Sequence, residues 1–191
     1  MLAYLFWHRP AAGADAGRYE QALEHFHRSL AHQPPSGFRG SGAFRIHELP
    51  WFGGGEGYED WYLVDDWASL GVLEEAAVSR GHATAHGAAA AHVGAGTAAV
   101  YRLLEGSPGL AGATQAVWIE SAPRNESPGL AELLGDGMNP ARDSLWRRCL
   151  VLGPASEYCL LATERPAGAA ETRLPAGWSA RSLARETIYS A

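Results

Sequence analysis

The chain has 191 residues, 47% of them hydrophobic and 19% charged, with 21 acidic side chains against 15 basic ones and a formal net charge of -6. That length and apolar content support a packed core and exclude a disordered chain, while the acidic balance argues against nucleic acid, whose phosphates need a cationic face. No apolar run approaches the roughly 20 residues that cross a bilayer as a helix, so no membrane partner is expected.

Residues 2–8 (LAYLFWH) are continuously apolar or aromatic, the pattern of a central strand buried on both faces. From Tyr19 to His32 the period becomes helical, with Tyr19, Leu23, Phe26 and Leu30 on one stripe, and Pro34-Pro35 ends the helix. Residues 42–49 alternate as a half-buried strand, and residues 60–65 (DWYLVD) form the next one. Asp65 or Asp66 then caps a helix through Trp67, Leu70, Leu73 and Ala77. A second helical piece runs over 82–93 and is closed by Gly94 and Gly96, before a strand over 97–104.

The order strand, helix, strand, strand, helix, strand is that of a ferredoxin-like unit. After a Gly/Ser/Pro-rich linker, 105–114, the order recurs with strands at 115–121, 145–152 and 157–164, a short helix at 130–134 and a last strand over 182–189. The second helix of this copy is missing, since 166–178 is rich in Gly, Pro and Ala, and the halves share no residue-level identity. The expected fold class is therefore α+β: tandem ferredoxin-like repeats, 1–104 and a degenerate 115–191, with antiparallel sheets packed face to face as an α+β barrel. The absent helix would leave an apolar face, the basis for expecting a homodimer.

All 15 basic residues are arginine, which removes lysine Schiff-base chemistry and any P-loop lysine. The two cysteines, Cys149 and Cys159, are too few for a disulfide scaffold and wrongly spaced for a zinc knuckle. Read as two buried free thiols, and with the N-terminal apolar run too short for a signal peptide, they imply a reduced, cytoplasmic setting.

The strand Trp61-Tyr62-Leu63-Val64-Asp65 running into Trp67-Ala68-Ser69-Leu70, then His82 and His86, then a closing strand with Tyr101, resembles the dimeric α+β barrel superfamily over residues 1–104. Antibiotic-biosynthesis monooxygenases and EthD-like proteins share that order. The resemblance implies a cofactor-free oxygenase or proton-transfer enzyme acting on a small apolar, aromatic or polyketide-like molecule. In such proteins a base deprotonates a phenolic or enolic substrate, and the carbanion reacts with oxygen without metal or flavin. A fused pair of units also resembles chlorite-dismutase-like haem proteins, but their haem ligand lies in the second half and all eight histidines here lie between positions 8 and 92. Two other readings stand beside the oxygenase: a non-catalytic ligand-binding module of the same fold, and a haem- or metal-binding protein.

Histidine carries the candidate chemistry, because imidazole changes charge near neutral pH and can act as a general base. His47, His86 and Tyr62 are the expected catalytic members, with His8, Trp51, Trp61 and Tyr101 binding substrate. His82 and His86 also have the four-residue spacing of ligands on a zinc helix, but no third ligand is fixed, so the expectation is no metal and no cofactor. His25 and His32 point off the helical stripe, and His27 sits at its edge. Adjacent positions in a strand face opposite ways, which rules out Asp65-Asp66 as a carboxylate dyad and lets at most one of Arg147 and Arg148 enter a pocket. The loop from Trp51 to Tyr58, with four glycines and three aromatics, reads as either a lid or a plain hairpin tip.

Overall fold

In a computed structural model, residues 1–79, 81–120, 139–151, 156–163, 174 and 177–191 are described. The strands are β1 (Leu2–Pro10), β2 (Phe38–Ile46), β3 (Gly57–Val64), β4 (Val93–Gly106), β5 (Gln115–Glu120), β6 (Ser144–Val151), β7 (Tyr158–Ala162), β8 (Ser179–Ala184) and β9 (Glu186–Ser190). The helices are α1 (Ala16–His32), α2 (Trp67–Val78) and α3 (Ala83–Ala90). The chain is thus of the α+β class.

The strands form one sheet in the order β8-β5-β7-β6-β4-β1-β3-β2-β9, antiparallel throughout. Strands β8 and β9 lie at opposite ends of that order, yet only Arg185 separates them in sequence. The sheet must therefore curl until its two edges meet. The layers expected to stack as separate sheets are opposite walls of this one curled sheet, joined edge to edge where β4 pairs with β6. Four strands of each half follow the same relative order, β4-β1-β3-β2 and β8-β5-β7-β6.

Alternation sorts the side chains into two cores. Ala3, Leu5 and Trp7 of β1, Trp61 and Leu63 of β3, Tyr101 of β4, Trp118 of β5, Trp146 of β6 and Cys159 of β7 fill the inside of the curl. Leu2, Tyr58, Tyr62, Val64 and Val100 face outward against Tyr19, Leu23, Phe26 and Leu30 of α1 and the small residues of α3. Strand β1 is covered on both faces, as its composition predicts.

Within the inner core Glu59 is fully buried: Trp7 Nε1 donates to it at 2.8 Å, Trp61 Nε1 at 2.7 Å, and Arg185 Nε stands 3.2 Å away. Arg185 also donates from Nη1 to the Ala113 carbonyl at 3.0 Å. The residue that links the two sheet edges is thereby anchored to the centre of the first half.

Several boundaries differ from the sequence expectation. Helix α1 starts at Ala16, because the Asp15 carboxylate caps it by accepting from the Arg18 amide. Asp66 is the cap of α2, accepting from the Ser69 amide, while Asp65 pairs with Arg39. Gly94 and Gly96 lie inside β4 rather than ending a helix; at Gly96 a Cβ would come within 2.4 Å of the Phe6 ring, so the close approach demands glycine. The single strand expected over 182–189 is two strands, broken at Arg185. Cys159 is buried inside the curl but Cys149 is exposed, and both are free thiols. The expected helix at 130–134 and most of 166–178 lie outside the described residues.

Candidate functional site

The outer face of β1, β3 and β4 and the layer of helices above it enclose a cavity of about 720 Å³. Most of its wall is apolar, supplied by Leu and Ala side chains of α1, α2 and α3 and by Phe6 and Val100 of the sheet. One region is polar, where His8, Tyr19, Asp60 and Tyr62 come together, with His86 of α3 on the helix side.

The sheet builds this cluster by register. His8 pairs with Tyr58 and Phe6 with Asp60 across β1 and β3, so His8 and Asp60 are diagonal neighbours on one face. His8 Nε2 lies 3.1 Å from Asp60 Oδ2, although the ring is not aligned for a regular hydrogen bond. The other ring nitrogen of His8, Nδ1, shares a hydrogen bond with the Tyr19 hydroxyl from α1. Phe6 and Tyr58 stack on the imidazole, at 4.9 and 5.7 Å between ring centres, and fix its plane.

Asp60 is held from its other side as well. Tyr62 donates to Oδ2 at 3.2 Å, and His27 Nε2 stands 3.7 Å from Oδ1. His27 is stacked on Tyr62 and hydrogen-bonded through Nδ1 to Ser41 Oγ at 2.8 Å. The edge of β2 that carries Ser41 is covered by β9, whose Tyr189 ring lies 5.6 Å from His27. The last strand of the chain thus closes over the back of this cluster.

Electrostatics separate the roles of these groups. Burial acts to raise the Asp60 carboxyl, but the imidazoles of His8 and His27 beside it hold it below the usual carboxylate range. It is therefore an anion at neutral pH. Burial, and then the Asp60 charge, push the phenols of Tyr19 and Tyr62 well above the ordinary tyrosine value. Both therefore stay protonated at neutral pH.

Of the residues singled out from sequence, His8, Tyr62 and His86 meet at the cavity. His47 does not: its side chain is 69% exposed, within 4.0 Å of Glu56 and Glu186 at the surface. It stands just past β2, beyond the strand's last buried residue, Ile46. Trp61 and Tyr101 sit on the opposite face of their strands, packed inside the curl, where Tyr101 donates to the Ser156 carbonyl at 2.5 Å. Trp51 packs at one end of that inner core against Trp7 and Trp118. His82 and His86 go to different surroundings. His82 bridges Ser29 and the Gln33 carbonyl, each at 3.1 Å, while the His86 ring packs on Phe26 and lines the cavity. Among the described residues no three His, Cys, Asp or Glu side chains are grouped to hold a metal ion.

Sequence reasoning missed Asp60, Tyr19 as a chemical group, and His27. One signal was present: Glu59 and Asp60 sit in an otherwise largely apolar and aromatic run, where carboxylates need buried partners.

No family model and no curated protein matches the sequence. Solved structures do. A protein provisionally named a monooxygenase from Fusobacterium nucleatum subsp. nucleatum ATCC 25586 superposes with a TM-score of 0.65 at 9% identity, over 99% of this chain and 93% of its own. An anthrone oxidase-like protein gives 0.58 at 9% identity, covering 100% of this chain and 92% of its own. A further protein provisionally named a monooxygenase, from Lactobacillus acidophilus NCFM, gives 0.57 at 10% identity, with 100% and 95% covered. The chain thus shares, along its full length, a fold found in monooxygenase-like α+β proteins. Among the described residues no helix is long and apolar enough to cross a membrane.

Proposed function

We propose that the chain is a cofactor-independent oxygenase, or a proton-transfer enzyme of the same chemistry, acting on a small, uncharged aromatic ketone or phenol bound in the helix-side cavity. The observation that carries this reading is the unbroken contact line Tyr19–His8–Asp60 at the polar end of an otherwise apolar cavity. Among the described residues no arginine lines that cavity, and the charged wall groups besides histidine are the carboxylates Asp60 and Glu74, which disfavours an anionic substrate.

In this reading the His8 proton rests on Nε2, facing Asp60, which leaves Nδ1 to accept from the Tyr19 hydroxyl. A substrate C–H made acidic by an adjacent carbonyl gives its proton to the Tyr19 oxygen as Tyr19 passes its own to His8. The imidazolium that forms is neutralised by Asp60, and Tyr19 never becomes a free tyrosinate. His86, across the cavity, donates to the substrate oxygen as negative charge develops there. The carbanion combines with dioxygen, and the peroxide formed at a CH2 carbon loses water to give a ketone. One dioxygen is consumed and one water released for each CH2 oxidised to C=O.

The likeness to an anthrone oxidase-like protein makes anthrone the first substrate to try. Oxygen consumption and quinone absorbance measured together on wild type, Tyr19→Phe and His8→Gln test the assignment. Turnover that survives undiminished in both variants overturns it.

We further propose that residues 1–104 and 115–191, joined by 105–114, are two ferredoxin-like units fused in one chain. The matching strand orders of the halves support this reading, with β9 as an addition that crosses back to the first unit.

A further inference from the structure

Apart from the His8–Asp60–His27 cluster and Arg185, the described residues contain five buried polar side-chain atoms with no hydrogen-bond partner. They are Nε and Nη2 of Arg9, Nε1 of Trp51, Oγ1 of Thr97 and Nε1 of Trp118. Every one carries a hydrogen to donate. Buried donors left without acceptors are costly, and natural structures satisfy nearly all of them with protein groups, ordered water, a ligand or an ion.

Their side chains lie toward one end of the sheet's inner face. Trp7, Trp51 and Trp118 form a triangle with ring centres 5.3 to 5.5 Å apart. Thr97 is the direct cross-strand partner of Trp7, and Arg9 follows Trp7 on the same face of β1. All of them therefore face the inside of the curled sheet at one end, on the side of β1 opposite the His8 relay. A cleft of about 650 Å³ opens beside them, with Trp51, Trp118, Arg148 and Arg181 in its wall and Arg9 and Thr97 behind it. Two rim carboxylates already have partners: Glu120 accepts from Ser156 Oγ at 3.2 Å, and Glu157 from Arg147 at 3.4 Å.

The segment that covers this end is the glycine-rich loop after β2. Phe52 lies under the Arg9 guanidinium, 5.5 Å from ring centre to Cζ. Gly53, Gly54 and Gly55 follow with φ of 77°, 86° and 80°, three successive left-handed positions that other residues adopt only with strain. Nothing packs within 4 Å of where a Cβ would stand on Gly53 or Gly54, so the loop tip stands clear of other side chains.

We propose that this end of the curled sheet is a second binding site, separate from the relay cavity, for a small molecule bearing an oxyanion, a carboxylate or a phosphate. The oxyanion accepts from Arg9, Trp51, Trp118 and Thr97, and the glycine loop closes over it. Donors without acceptors call for an acceptor-rich guest, and a guanidinium supplies the charge and the fork geometry for one.

The test is titration of the purified full chain with sodium benzoate and, separately, inorganic phosphate, at ionic strength held constant with sodium chloride. Tryptophan fluorescence and the melting temperature are the readouts. A saturable fluorescence change with a rise in Tm for one of the two probes is expected, and which probe acts identifies the oxyanion as carboxylate or phosphate. Arg9→Gln should weaken that binding about tenfold or more, as loss of a charged hydrogen-bond donor does. Trp51→Phe keeps an aromatic ring, though a smaller one, and loses the N–H, so it should weaken binding by a smaller factor while Tm without probe stays near wild type. Should Arg9→Gln fail to fold, Trp51→Phe decides. The absence of a saturable response to either probe, or equal affinity in wild type and the folded variants, overturns the proposal.

Discussion

His8 and Asp60 meet across neighbouring strands, Nε2 to Oδ2 at 3.1 Å, with both side chains shut away from solvent. A carboxylate kept ionised beside an imidazole makes that imidazole a better proton acceptor at its far nitrogen, and the far nitrogen here faces the Tyr19 hydroxyl. If the relay works as a unit, removing Tyr19 or His8 alone costs about what removing both does. Tyr19→Phe, which keeps the ring, should lower kcat on anthrone about 10²–10⁴-fold with little change in KM. His8→Gln should fall in the same range, and the double variant should be barely slower than either single one. Steady-state rates for the three variants check this, and losses that simply multiply would refute a shared relay.

His27 adds a condition to the first half of the relay. One carboxylate can fully neutralise only one imidazolium, so for Asp60 to serve His8, His27 must remain neutral with its Nε2 proton toward Asp60. A Ser41 hydroxyl that donates to His27 Nδ1, 2.8 Å away, would select that tautomer. Ser41→Ala should therefore mix the two His27 tautomers in ¹⁵N spectra of the ring nitrogens. Turnover should fall about fivefold, the worth of one ordinary hydrogen bond. An unchanged tautomer signature would leave Ser41 with a packing role alone.

Acid should act on the fold through Asp60. Its carboxyl titrates lower in the folded chain than in the unfolded one, where the ordinary value is about 3.9. The unfolded state therefore binds the extra proton first. The stabilisation is complete above about pH 4 and is lost as the pH drops further, through the depressed folded value. Asp60→Asn should be less stable than wild type at pH 7 and lose less on acidification, so the two stability curves converge toward low pH. Urea midpoints measured across an acid series decide this, and parallel curves would contradict it.

His47 provides the contrast. As it lies at the surface between Glu56 and Glu186, His47→Ala should change stability by no more than about 0.5 kcal/mol and leave anthrone turnover at the wild-type rate. A steep loss of turnover would return it to the site.

The misplacement of His47 shows what local pattern can and cannot carry. Alternation over 42–49 correctly puts Phe44 and Ile46 on an inner face, but it does not mark where the strand leaves the sheet, and β2 ends one residue before His47. Strand β1 was legible because burial on both faces leaves a compositional trace. His27 was not, for a helical wheel sees only α1; the residues that bury its edge, Ser41 and Tyr189, come from β2 and β9. The curl itself depends on a pairing between β2 and β9 that links positions about 140 residues apart, and no local period encodes it. Arg185 was hidden for the same reason, reading as one more charge in a terminal strand.

That arginine offers the most direct test of how the sheet closes. Its guanidinium is buried, 3.2 Å from Glu59 and 3.4 Å above the centre of the Phe44 ring, and burial lowers its pKa while Glu59 opposes the shift. Glu59→Gln leaves a buried cation without its anion, and Arg185→Met leaves the reverse. Each should cost about 3–5 kcal/mol, because an uncompensated charge in a dry interior is far more expensive than an exposed one. The double variant Glu59→Gln/Arg185→Met removes both charges, keeps most of the volume, and should cost clearly less than the sum of the singles. Urea unfolding of the four proteins gives the coupling energy directly. Additive losses would mean that Arg185 anchors the β8–β9 junction through the Ala113 carbonyl and Phe44 alone, and that Glu59 is held by the two indoles.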